Sequence, residues 1–348
     1  MTSGAANATR PVAKVGHFVA TLVNGVGGDP LLHVRVQHAR RSLLFDLGEA
    51  GRLPVRIAHQ VTDVFISHTH VDHIAGFLWF LRSRIGTLPP CRLYGPPGLA
   101  DNVAGLVAGV HWDRAAERRP RFEIAELGAD GRVRRFAVTA GGGAARVLGE
   151  RAAPDGVLLE ESSLRVRAVT LDHGTPVLAF ALEPSVEIKV RKERLAALGV
   201  APGPWLTDLK RKVLDGATTG TVLLPTGKRR GVRKLAAELL LVEPGRKLVY
   251  ATDLADTPDN RRRLTALAAG AHTLFCEATF CTAHAAQAAR TGHLTARACG
   301  EIATAAGARQ LVPFHFSRRY ADDPGRVYRE VAAACVRTVV PAEIAAAL

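Results

Sequence analysis

The reading turns on Val61-Thr62-Asp63-Val64-Phe65-Ile66-Ser67-His68-Thr69-His70-Val71-Asp72-His73-Ile74. Val61–Ser67 is an apolar, β-rich run ending in a polar residue, as a buried strand does. From Ile74 to Ser83 the placing of Phe77, Leu78, Phe80 and Leu81 predicts a helix. Between the two stand three histidines and an aspartate. On extended backbone, residues two apart point the same way, so His68 and His70 can grip one ion together. As the chain turns into the helix, Asp72 and His73 swing toward a second position. Imidazole and carboxylate without thiolate suit Zn²⁺.

Three later strand-like runs end in ligand types as well. Leu164–Leu171 runs into Asp172-His173, Lys247–Thr252 into Asp253, and Gln310–Phe314 into His315. Taken singly, each is equally readable as a capping or turn residue. Together, all at strand ends, they fit one site with the histidine cluster. A carboxylate such as Asp253 can bridge two cations, one on each oxygen. Two ions ~3.5–4 Å apart polarise a phosphate and activate water near neutral pH, the machinery of phosphodiester or amide hydrolysis.

Composition bounds the alternatives. A chain of 348 residues with mean hydropathy +0.08 can bury a sizeable core, which excludes a disordered or collagen-like protein. Lys+Arg outnumber Asp+Glu by 46 to 32, giving +14. That balance fits an anionic partner or the basic surface of an Arg-rich proteome. Five cysteines without a CxxC pair exclude a disulfide framework and a cysteine zinc finger. Met1–Pro11 is small and polar and does not read as a secretory signal. No apolar run approaches the ~18 residues of a membrane span, so a soluble, cytoplasmic setting without a membrane partner is expected.

The charge is uneven. Ser185–Glu238 holds twelve basic and five acidic residues, a net of +7. It also contains the rigid turn Gly199-Val200-Ala201-Pro202-Gly203-Pro204, and it interrupts an otherwise regular α/β alternation.

His68-Thr69-His70-Val71-Asp72-His73 resembles the hallmark of the metallo-β-lactamase superfamily. Four further stretches resemble ribonuclease Z in particular. Phe275–Phe280 is similar to its HEATF box, with Cys276 in the place of the histidine. Thr291–Thr295 resembles the following His-Ser/Thr box. Leu311–Tyr320 is similar to the closing LTHFSxRY segment. Gly199–Pro204 with Leu209-Lys210 resembles the family's flexible arm. Thr21–Pro30 lacks the family's usual LGT opening. The resemblance implies an α/β fold, a four-layer αββα sandwich spanning 1–348, with an inserted basic arm at 185–238. It implies two Zn²⁺ per chain, one on His68, His70 and His173, the other on Asp72, His73 and His315, with Asp253 bridging. Asp72 is the implied base. His293, oriented by Glu277, would protonate the leaving oxygen. Ser317 and Arg319 would lie near the substrate phosphate. Lys210, Arg211 and Lys212 would hold RNA from the arm, whose contacts position the RNA and do not read bases. The implied activity is removal of the 3′ trailer of precursor tRNA, by a homodimer. The alternatives are a hydrolase of the same fold acting on a small phosphodiester, sulfate ester or lactone, and a non-catalytic RNA-binding module. Twelve basic residues in one segment favour an RNA substrate over a small one.

Overall fold

In the computed structural model, residues 10–37 and 39–346 are described. Most of the N-terminal stretch read above as carrying no secretory signal lies outside them. Nine strands come first: β1 Val12–Val15, β2 Phe18–Leu22, β3 Leu32–Val36, β4 Arg41–Phe45, β5 Val61–Phe65, β6 Cys91–Gly95, β7 Arg121–Leu127, β8 Arg132–Thr139 and β9 Arg146–Ala152. They form one sheet in sequence order. It is antiparallel at both ends and parallel from β4 to β7. The parallel centre explains why β5 is buried on both faces, Thr62 being its one half-exposed residue and the buried Asp63 being paired with Arg41 and Arg92.

Next come β10 Val157–Glu160, β11 Leu164–Asp172, β12 Pro176–Pro184, β13 Val186–Val190, β14 Thr221–Leu223, β15 Arg229–Gly231, β16 Leu240–Pro244, β17 Leu248–Ala251, β18 Thr273–Glu277 and β19 Gln310–Phe314. A second sheet runs β10-β11-β12-β17-β18-β19. The two sheets face each other through aromatic rings. Phe45 and Phe65 meet Phe180 at 5.8 and 5.6 Å, and Phe45 meets Tyr250 at 5.7 Å. On the outer face of the first sheet, helices Phe77–Ser83 and Leu99–Ala108 bury Phe77, Phe80, Leu99 and Val103 against Leu93 and Phe122. Helices Pro258–Ala268 and Ala296–Ala305 cover the second sheet. The result is the αββα sandwich.

The helix expected over Ile74–Ser83 is two pieces, Val71–Ile74 and Phe77–Ser83. The break is at Gly76. A Cβ there would stand 2.0 Å from the carbonyl oxygen of Gly48, so the segment after β4 presses on bare backbone. This contact seats the histidine loop beside the end of β4.

The chain divides into two compact units. The larger is Met1–Leu158, Arg167–Ala181 and Lys247–Leu348, and the smaller is Leu159–Val166 with Leu182–Arg246. The smaller unit is wider than the charge pattern 185–238: it takes in Leu159–Val166 and runs on to Arg246, past β16, which lies beyond the cationic stretch and pairs antiparallel with β13. It has its own apolar cluster, built on Trp205, Leu209, Val222, Val232, Leu235 and Leu239. Helix Pro204–Leu214 starts with proline at its first position, where the missing N–H costs nothing.

Candidate metal centre

Strand ends and the loops after them gather the ligand-type side chains. His68, His70, His173 and Asp253 form one group, and Asp72, His73, Asp253 and His315 a second. Within each, the potential ligand atoms all lie within 4.8 Å of one another. Asp253 belongs to both. Its Oδ2 stands 3.7 Å from His68 Nε2, 3.6 Å from His173 Nε2 and 3.3 Å from His73 Nε2. Its Oδ1 is 3.2 Å from His315 Nδ1. Asp72 Oδ2 is 3.5 Å from both His73 Nε2 and His315 Nε2.

The hydrogen bonds fix which imidazole nitrogen is free. His73 Nδ1 donates to Asp46 Oδ2 at 2.9 Å, and His173 Nδ1 donates to the carbonyl of Gly292 at 2.7 Å. The Ser67 hydroxyl donates to Asp46 Oδ2 at 2.8 Å, so it accepts from His68 Nδ1 at 3.1 Å. All three rings therefore turn an Nε2 lone pair into the centre, the arrangement of metal-binding histidines. His68 Nε2 and His73 Nε2 are buried without a hydrogen-bond partner. Buried polar atoms without partners are costly, and a cation is what such a pair of lone pairs lacks. This set of nitrogens and carboxylate oxygens fits zinc.

The electrostatics agree. Burial, reinforced by neighbouring His73, pushes His68 down to about 3, which keeps its ring neutral. Burial alone would lower His73 too, but the Asp46 and Asp253 charges outweigh it and raise it, so positive charge is stabilised at the position where a cation on Nε2 would replace the proton. Hydrogen bonds to His315 and His73 hold the Asp72 carboxyl far below its usual range. Burial would raise Asp253, yet His315 and His73 keep it well below the carboxylate range. The centre holds anionic oxygens and free lone pairs ready for cations.

Among the described residues, four non-glycine residues have positive φ: Asp46 (54°), Asp155 (54°), Asp253 (51°) and His315 (59°). Three of them are in this site. Left-handed backbone costs roughly 1–3 kcal/mol per residue and persists where the surroundings over-determine it. Asp46 was not foreseen from the sequence. It ends β4, is fully buried, and receives Ser67 N–H at 2.6 Å, Tyr250 O–H at 2.8 Å and His73. Its only sequence signal is an acidic residue at a strand end, in Phe45-Asp46-Leu47-Gly48. Asp46→Asn should weaken metal affinity about 10-fold to 100-fold, measured by competition with a chromogenic chelator. An unchanged affinity would mean that Asp46 only packs.

Beside the centre is an acid–imidazole pair. Glu277 ends β18 and is fully buried. Its Oε1 accepts Leu254 N–H at 2.7 Å, and its Oε2 receives His293 Nδ1–H at 3.0 Å. Burial would lower His293, but the Glu277 charge and hydrogen bond raise it to about 9. With Nδ1 engaged by Glu277, Nε2 is the ring nitrogen left to give or take a proton. Glu277, His293 and His315 form a third close group, which ties the pair to the centre.

The comparisons with known proteins follow this geometry. Residues 212–316 match the family model described as a beta-lactamase superfamily domain. Ribonuclease Z of Deinococcus radiodurans is 36% identical over 283 residues, 80% of this chain and 83% of the relative. Ribonuclease Z of Brevibacillus brevis is 30% identical over 331 residues, 92% of this chain and 87% of the relative. The chain belongs to the ribonuclease Z family. Two solved structures share the fold. Human tRNase Z, short form, has a TM-score of 0.53 at 20% identity, covering 90% of this chain and 93% of that one. A metallo-β-lactamase fold protein from Bacillus subtilis also scores 0.53, at 15% identity, covering 92% and 93%.

In this ribonuclease Z family member, the remaining residues singled out from the sequence make contacts of their own. Ser317 follows the centre directly, and its backbone N–H donates to Thr279 O at 3.0 Å. Arg319 lies over the Phe280 ring at 5.2 Å and donates to Gln287 Oε1 at 2.6 Å. Lys210, Arg211 and Lys212 belong to the smaller unit. There Arg211 and Lys212 share Asp208, at 2.6 and 3.2 Å. Lys210 is half-buried, and burial lowers its ammonium below the usual value. Among the described residues, no helix is long and apolar enough to cross a membrane. Family, fold and the His/Asp groups together make the chain a metal-dependent hydrolytic enzyme.

Proposed function

We propose that this ribonuclease Z family member removes the 3′ trailer of precursor tRNA, using two zinc ions per chain. The observation that carries the reading is the meeting of two ligand groups at Asp253, with the Glu277–His293 pair beside them. His68, His70 and His173 would hold one ion, Asp72, His73 and His315 the other, and Asp253 both. When bound, such a pair supplies Lewis-acid activation of the phosphodiester and of water. Asp72, 38% exposed and ionised, faces the open side and accepts the proton of the attacking water. The water oxygen forms the new bond to phosphorus as the bond to the leaving oxygen breaks. His293 Nε2 delivers a proton to that leaving oxygen. Glu277, fixed by Leu254 N–H, holds the ring and compensates its positive charge. Ser317 and Arg319 would orient the phosphate.

The smaller unit supports an RNA substrate. Its Ser185–Glu238 stretch supplies a net of +7, the electrostatic footprint of phosphate contacts, and its own core holds those side chains in place. A small ester has no use for it. The test is incubation with a precursor tRNA carrying a 3′ trailer, with and without chelator. Cleavage without chelator, its loss with chelator, and a KM that climbs steeply with salt are expected. An intact precursor, or cleavage indifferent to chelator, would overturn the reading.

A further inference from the structure

His173 directly follows β11, and Asp253 stands two residues past β17. These strands are not neighbours, because β12 lies between them in the second sheet. The side chains still meet, with Asp253 Oδ2 3.6 Å from His173 Nε2. Strand pairing does not set that spacing, since both residues lie beyond the ends of their strands. A connection outside the ladder has to hold the two loops together.

Asn260 supplies it. It is the third residue of helix Pro258–Ala268 and only 2% exposed. Its amide oxygen accepts Asp172 N–H at 2.9 Å. Its nitrogen donates to Asp172 O at 2.7 Å and to Ala255 O at 2.8 Å. Asp172 directly precedes His173, and Ala255 follows Asp253 by two residues. One side chain therefore grips the backbone beside both. Ala255 N–H closes the link by donating to Asp172 O at 2.9 Å.

The grip is itself anchored. Thr257 Oγ1 accepts Asn260 N–H at 3.2 Å and caps the helix, which opens on Pro258. On the other side, Asp172 Oδ1 accepts Gly174 N–H at 2.8 Å, so the turn that carries His173 is bonded at both ends. Asp172 belongs to neither ligand group and serves through its backbone. Asp253 has left-handed backbone, which persists where its surroundings over-determine it. The hold on Ala255 is one such constraint. Both N–H groups of the Asn260 amide and its oxygen are used, and all three bonds go to backbone. Asn260 thus acts on the centre through the two loops.

We infer that Asn260 is a positioning residue for the metal centre. It sets His173 against Asp253, and with that the affinity of the group His68, His70, His173 and Asp253 for its cation. The inference rests on reading the centre as a two-zinc site.

The test is zinc retention by the full chain in competition with a chromogenic chelator. The wild type should hold two ions. Asn260→Ala should weaken one of them about 10-fold to 100-fold, the usual cost of losing a partner behind a metal ligand, and the other by less than about threefold. Combination with a second change reads which ion is affected. In a His70→Ala background that group is already broken, so Asn260→Ala should add less than about threefold there. In a His315→Ala background it should keep its full effect. Alanine is a good helix former, so helix Pro258–Ala268 should persist. Should this variant still fail to fold, Asn260→Asp keeps the size and the acceptor for Asp172 N–H. It sets a carboxylate oxygen against two carbonyls, and the same selective loss is expected. Both ions weakened alike, neither weakened, or a full effect in the His70→Ala background would overturn the inference. A wild type that holds two ions, with retention indifferent to position 260, fells the inference alone. A wild type that holds fewer than two ions breaks the two-zinc reading and takes the inference with it.

Discussion

Asp253→Asn is expected to abolish hydrolysis of any phosphodiester, a loss of more than about 10³-fold in kcat. No other substitution should cost as much, because Asp253 alone belongs to both ligand groups. Its Oδ2 stands within 3.7 Å of His68, His73 and His173 nitrogens, and its Oδ1 faces His315. Asparagine keeps the shape and tolerates the left-handed backbone at this position. The change therefore removes charge with little strain. It leaves one neutral oxygen where two anionic ones stood, so neither ligand group is complete. Metal content by atomic emission should fall together with kcat on a small diester. Activity within 10-fold of wild type would show that the two groups do not act through this carboxylate.

The second large effect belongs to His293. His293→Ala should slow RNA cleavage by about 10²-fold to 10⁴-fold, the usual yield of a general acid. A p-nitrophenyl ester should barely notice, because p-nitrophenolate leaves without a proton. Equal losses on both substrates would show that His293 shapes the site and does not deliver a proton. Glu277 gives the pH test. Its charge raises His293 to about 9, against the lowering effect of burial. A raised value keeps the acid form through neutral pH and loses it as pH climbs through that value. The alkaline limb of the pH–rate profile should thus move to lower pH in Glu277→Gln. Cations bound nearby lower the limb in both proteins, so the direction of the move is the diagnostic. A limb that stays in place would mean that another group holds the proton.

Three of the proposed ligands were legible because each follows a strand, and strand ends are readable from apolar runs. His173, Asp253 and His315 all follow such runs. Asp46 was not legible, although it also ends a strand. Its meaning depends on β4 pairing parallel with β5, which brings it to Ser67 and His73 from 21 and 27 residues away. No periodicity encodes that pairing. The break at Gly76 was hidden for the same reason, since the cause is the backbone of Gly48. β16, which pairs with β13, lies beyond the cationic stretch and holds a single charged residue, so the charge pattern does not reach it.

The separate apolar cluster around Trp205 and Leu235 has a consequence for how such a protein changes over generations. The side chains proposed to contact RNA there rest on a cluster that shares no residue with the one behind the first sheet. Selection can redraw the recognition surface, lengthen it or trade its charges without repacking the layers that hold Asp253 and His73. On that proposal, substrate range and chemistry are separately heritable traits on one chain.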